Sequence, residues 1–192
     1  MRTITLISVC AITIFALAFK PANKVFFQDQ AGEIKFFSSA PLEDITALNH
    51  KSSALLKTQD GSITVKVPIR AFEFEKDLMY QHFLEKKYMW AEKYPEAELR
   101  AKITNLSEID FNKDGTYKAK VKGDLTIRGL SKEYAFDGNI TVKGDNVKCN
   151  SKFNVKLEDH KVPIPKMVTE NLAEVVEVTV NLDLDKYEKK AE

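Results

Sequence analysis

The chain has 192 residues, 44% of them hydrophobic and 30% charged, which suits one domain with a sizeable core and is too short to expect two. Seven Gly and six Pro exclude a collagenous or low-complexity chain. The 29 basic and 28 acidic residues nearly cancel and are dispersed, so no long-range field gathers phosphate backbones, and nucleic acid is not an expected partner.

Arg2 gives a positive start, and Thr3 to Phe19 carry no charge. Ala16-Leu17-Ala18 has the small-x-small form of a signal-peptidase site. The apolar stretch is shorter than the ~20 residues of a membrane-spanning helix. Residues 1–18 therefore read as a signal peptide, cleaved after Ala18 or retained as an anchor, and 19–192 as one domain, periplasmic or secreted, with no membrane span once the signal is removed. Cys10 makes a poor lipoprotein site because the bulky Val9 precedes it. Removing Arg2 from the 29 basic residues leaves 28 against 28 acidic ones. Cys149 then stands alone, so the mature chain is expected to hold no internal disulfide.

Period two dominates the mature chain. Ile63, Val65, Val67 and Ile69 alternate with polar residues, as do Ala97, Leu99, Ala101 and Ile103. Tyr117, Ala119 and Val121 alternate with Lys118, Lys120 and Lys122, most simply the solvated side of a strand. Tyr134, Phe136, Ile140 and Val142 share a phase, as do Val147, Cys149, Ser151, Phe153, Val155 and Leu157. Val176, Val178, Val180, Leu182 and Leu184 close the series. Such alternation puts one face against an apolar interior and the other in water, the habit of antiparallel sheets. Asp60-Gly61, Asp114-Gly115 and Gly144-Asp145-Asn146 supply turn chemistry between strands. Roughly eight to ten strands are expected by these criteria. A long meander with one apolar face covers it and loses its edges by closing into a barrel; a two-sheet sandwich is the alternative.

Two stretches interrupt the alternation. The apolar phase shifts over Ile69 to Phe74, which predicts a bulge or bend. Asp77 to Met89 then reads as a helix, N-capped by Asp77, with Leu78, Met79, His82 and Phe83 on one side. Val162-Pro163-Ile164-Pro165 with Met167 to Ala173 is a second excursion. Both inserts are expected over a barrel end. The tail from Lys186 reads as frayed.

These segments carry a resemblance. Gly32-Glu33-Ile34-Lys35-Phe36, Leu78 through Met89 with Lys93-Tyr94-Pro95, Gly123 through Gly129, and Phe153 through Asp159 with Val162 through Pro165 are similar, in order and spacing, to the YceI-like family. The resemblance implies an all-β fold, a single antiparallel lipocalin-like barrel with a short helical insert. It also implies export and an isoprenoid or similar apolar lipid held inside. Many members carry an Asp and a His-Ser pair before the first strand; here Gln28-Asp29-Gln30-Ala31-Gly32 stands instead, which marks a divergent branch.

A barrel of about eight strands holds side chains or one small ligand. Bulky inward residues are expected at Phe36, Phe72, Phe74, Phe136 and Phe153, and small ones that leave space at Ala101 and Ala119. Met79, Phe83, Met89 and Trp90 would form a soft lid. These eleven are the candidate ligand contacts, and a solid core would use the same residues. His50, His82 and His160 lack the spacing of a metal motif and read as surface or packing histidines. Cys149 sits in an apolar phase, as a small hydrophobe does. No catalytic residue, metal or cofactor is expected. The reading is a binding protein; a filled barrel acting through its loops is the second reading, and an enzyme on a lipid-like substrate the third.

Overall fold

A computed structural model describes residues 25–39, 44–163 and 173–187; the predicted signal segment lies outside them. The alternating segments become nine strands: β1 (Phe26–Ser38), β2 (Ile45–Lys57), β3 (Ser62–Pro68), β4 (Phe72–Phe74), β5 (Glu96–Ile103), β6 (Gly115–Ile127), β7 (Leu130–Lys143), β8 (Asn146–Lys156) and β9 (Val175–Tyr187). One short helix, α1 (Asp77–Leu84), follows β4. All pairings are antiparallel, and β1 hydrogen-bonds to both β2 and β9. Eight strands therefore close into a barrel, with β4 an extra short pairing on β2. Closure removes the free edges that a sandwich would retain.

The predicted inward phases face the barrel interior, most of them buried and those near the β7–β8 edge partly so. Val65, Leu99, Ala101, Ile103, Val147 and Leu184 all lie in the core. The outward phases carry exposed cross-strand ion pairs, Lys122 with Glu133 and Lys148 with Asp183, each of small energetic weight. Between β5 and β6 the backbones nearly touch. A Cβ on Gly123 would stand 2.3 Å from both Ala101 Cα and Arg100 O, so only glycine fits.

The phase shift after Ile69 is a 3-10 turn over Ile69–Ala71. It redirects the chain so that β3 pairs with the second half of β2 and β4 with the first. Asn49 holds this corner. It is fully buried, its amide donates to Pro68 O at 2.8 Å, and its carbonyl oxygen accepts from the Lys51 amide at 2.9 Å and Ser52 Oγ at 3.1 Å. β1 is also irregular, losing register near Asp29 and Gly32. There the Asp29 carboxylate accepts the amides of Ala31 and Asp183, each at 2.8 Å, in place of ladder carbonyls. The divergent segment Gln28 to Gly32 thus lies within β1, not ahead of it.

The helix is shorter than the sequence predicts and differently capped. It ends at Leu84, because the backbone is extended at Glu85 and the chain folds back. The Met89 and Ala91 amides then donate to Phe83 O and Leu84 O, the carbonyls left open at the helix end. Lys76 holds the N-cap position with no side-chain capping bond to the helix, and Asp77 is the acidic first-turn residue, favoured there by the helix dipole. No helix among the described residues is long and apolar enough to cross a membrane.

Asn49→Ala is expected to lower unfolding stability by about 2 kcal/mol or more, since it strands Pro68 O and loosens the corner. Urea denaturation followed by circular dichroism measures this. An unchanged midpoint would show that the corner does not depend on Asn49.

Candidate ligand chamber under the helical lid

The α1 end of the barrel is hollow. A chamber of about 520 Å³ lies there, walled by Phe36, Phe74, Ile127, Val155, Val176 and Val178. The strand residues belong to the inward phases of β1, β4, β6, β8 and β9, so the pleat that builds the core also builds the wall. Met79 and Phe83, four residues apart on one face of α1, form the roof with Met89. Phe83 is held by three rings: Phe74 at 5.0 Å, Phe72 at 5.4 Å and Phe36 at 5.7 Å between centroids. Tyr80 Oη donates to Arg70 O at 3.0 Å, and the Arg128 guanidinium reaches Lys86 O at 3.3 Å and Lys161 O. The lid is therefore tied to the barrel from both sides. Lys76, Leu78, His82 and Tyr88 form the rim, where Leu78 is 66% exposed.

His160 closes one corner of the chamber and is fully buried. Nδ1 lies 3.1 Å from Leu130 O, a pure acceptor, so Nδ1 carries the proton and Nε2 the lone pair. The Tyr134 hydroxyl sits 3.1 Å from Asp159 Oδ2 and 3.3 Å from His160 Nε2, and its single proton goes to the carboxylate. Burial pushes His160 below its ordinary value, outweighing the Leu130 carbonyl and Asp159, which favour the charged ring; Lys132 adds to the lowering. Tyr134 is pushed up to about 12 by burial and then by Asp159. Tyr134 is therefore held protonated at neutral pH, while His160 is held as the neutral ring with its Nε2 lone pair facing the Tyr134 hydroxyl. Cys149 is likewise pushed up to about 12, chiefly by burial.

The YceI-like domain profile matches residues 21–185. This chain belongs to the YceI-like family. No curated protein sequence matches it. Among solved structures it is similar to a polyisoprenoid binding domain from Saccharophagus degradans implicated in plant cell wall breakdown, at a TM-score of 0.71 and 12% identity over 85% of this chain and 98% of that one. Burkholderia cenocepacia BcnA follows at 0.66 and 18%, over 79% and 95%. The Campylobacter jejuni YCEI protein superposes at 0.59 and 18%, over 74% and 85%. At these identities the likeness speaks for the fold.

Within the YceI-like barrel the predicted contacts separate. Phe36, Phe74, Met79, Phe83 and Met89 converge on the chamber. Phe72 is buried behind them in the ring cluster. Trp90 lies off the chamber on the outer side of the lid, edge-on to Tyr94 with Lys86 and Lys93 over its ring. Ala101 is packed into the wall against Gly123. Ala119 and Phe136 line a second, smaller void of about 50 Å³ deeper in the barrel, and Phe153 stacks on Phe136. The valines of β8 and β9 are legible in the sequence only as core residues. His160 carries one signal, its place between the two matching pieces of the segment Phe153 to Pro165. A further hollow of about 660 Å³ at the opposite barrel end has Asp110, Asp145 and Lys186 on its rim, unlike the apolar chamber.

A folded-state histidine held below its unfolded value binds fewer protons than the unfolded chain. The stability it contributes is present above about pH 6.5 and is lost as pH falls through that value toward the folded one. His160→Gln is therefore expected to flatten the fall in Tm between neutral and mildly acid solution, read by differential scanning calorimetry. An equal fall in both proteins would assign the acid sensitivity elsewhere.

Proposed function

We propose that this chain is an exported, non-enzymatic binding protein that sequesters or carries an isoprenoid or similar apolar lipid in the chamber beneath its lid. The observation that carries the reading is the chamber itself, about 520 Å³ with a wall of Phe, Val and Ile. That volume falls within the roughly 300–1,000 Å³ of small-molecule sites. A hydrocarbon chain needs few polar partners, because each Å² of apolar surface removed from water contributes roughly 25 cal/mol. The wall offers such surface, and the two methionines of the roof adapt to variable shapes. Lys76 and His82 at the rim suit a polar head group left at the surface. The similarity to a polyisoprenoid binding domain supports an isoprenoid as the chain. The apolar lining of the chamber, with Tyr134 and Cys149 held protonated, suits a binding role. Export rests on Arg2, the apolar stretch and Ala16-Leu17-Ala18.

Native mass spectrometry of the purified protein, with an organic extract analysed alongside, tests the reading. A stoichiometric lipid adduct, or uptake of added farnesol, is expected. Val178→Trp, which fills the chamber from β9, should weaken uptake at least ~ten-fold while leaving the far-UV spectrum intact. Equal uptake by the variant would place the ligand elsewhere. An absence of adduct and of uptake in the wild type would leave the filled-barrel reading.

A further inference from the structure

We propose that the stacked Phe136–Phe153 pair is a floor that fixes the length of apolar chain the chamber accepts. The inference rests on the carrier reading and adds its specificity determinant. Chamber and deeper void lie in line along the barrel. On β9, Val178 faces the chamber and the next inward residue, Val180, faces the void. On β8, Val155 faces the chamber and Ser151 and Cys149 face the void, and the inward residue between them is Phe153. Phe136 meets it from β7, with ring centroids 4.2 Å apart and planes 9° from parallel. The Tyr134 ring, two residues along β7 from Phe136, also meets Phe153 at 6.3 Å.

The pair is set where the wall is weakest. β7 pairs with β6 along its whole length, Gly115↔Val142 to Ile127↔Leu130. Its ladder to β8 stops at Gly138↔Ser151, although β8 continues to pair with β9 as far as Lys156↔Val175. Above that point β7 and β8 are joined through side chains: Ser151 Oγ donates to Asp137 O at 2.7 Å, the two rings stack, and His160 donates to Leu130 O. Inward residues flanking this seam, Phe136, Cys149, Phe153, Val178 and Val180, are only partly buried, whereas Ala54, Leu56 and Val65 across the barrel are buried. The rings pack on each other and on the edge of the core, and Phe136 faces the void among the small side chains of Ala119, Cys149 and Ser151. Removing one ring joins chamber and void. A chain that ends at the floor gains nothing from further isoprene units while the floor stands.

Competitive binding of geraniol, farnesol, geranylgeraniol and solanesol to the full chain, followed by native mass spectrometry, tests this. In the wild type affinity should rise with length and then stop rising. In Phe153→Ala the rise should continue, with the first prenol beyond the wild-type ceiling bound at least ~ten-fold tighter than by the wild type. Phe153→Leu, which keeps more packing, should move the ceiling in the same direction and stands in if Phe153→Ala does not fold. The same length dependence in wild type and folded variants would overturn the floor while leaving the carrier reading intact. Failure of every prenol to bind any form would instead strike the carrier reading, and the floor would fall with it.

Discussion

The structure depends on one closure, the pairing of β1 with both its sequence neighbour β2 and the distant β9. Closure puts every strand of the barrel between two others and turns eight amphipathic ribbons inward at once. It is also where the ladder is least regular, and a carboxylate carries part of it. Asp29 is buried, and its two oxygens receive the Ala31 and Asp183 amides. A hydrogen bond to a charged acceptor is stronger than the neutral ladder bond it replaces. The bulge at Asp29 to Gly32 therefore sits in the closing strand without opening it, and Gly32 keeps the crossing free of a side chain where Leu182 approaches.

Once closed, the barrel is not uniform along its axis. In the part of the barrel away from the lid, Leu56, Val147 and Leu184 are fully buried, beneath the polar-rimmed hollow at that end. At the lid end the inward residues of β9 and β8 are valines, and α1 covers the opening without burying any residue of its own. A helix with no buried residue gains little from packing into a core. It is held by Phe83 among three rings and by the bonds of Tyr80 to Arg70 O and Arg128 to Lys86 O. The filled core and the cavity, which the sequence presents as rivals, coexist in one barrel. The corner at Asn49 separates them on one wall, since it ends β3 and starts the chain toward the lid.

Strand positions were legible because a half-buried strand must alternate, and the phases of β5, β6, β8 and β9 were each readable from a handful of residues. The bend at Ile69 was legible as a phase shift. The length of α1 was not, because Trp90 and the returning chain satisfy the helix end by tertiary bonds that periodicity does not record; Trp90 itself stands at positive φ. Among the candidate contacts, period two named the inward residues but not their height in the barrel. Phe36 and Phe136 share the same kind of phase, yet one walls the chamber and the other lines the void beneath. Height is set by register between strands, and register is a property of pairs that a single strand's pattern does not contain. The partners of His160 are not legible in the sequence for the same reason, since Leu130 and Tyr134 lie on β7.

The central claim is that the apolar chamber at the lid end of the barrel takes the chain, while the fully buried interior around Leu56, Val147 and Leu184 does not. Methyl-resolved NMR of the protein labelled at Val, Leu and Met, titrated with farnesol, tests it most directly. The account predicts shifts at Met79, Met89, Val155, Val176 and Val178, with Leu56, Val147 and Leu184 unmoved. Shifts centred on Leu56, Val147 and Leu184, or none at saturating farnesol, would contradict it.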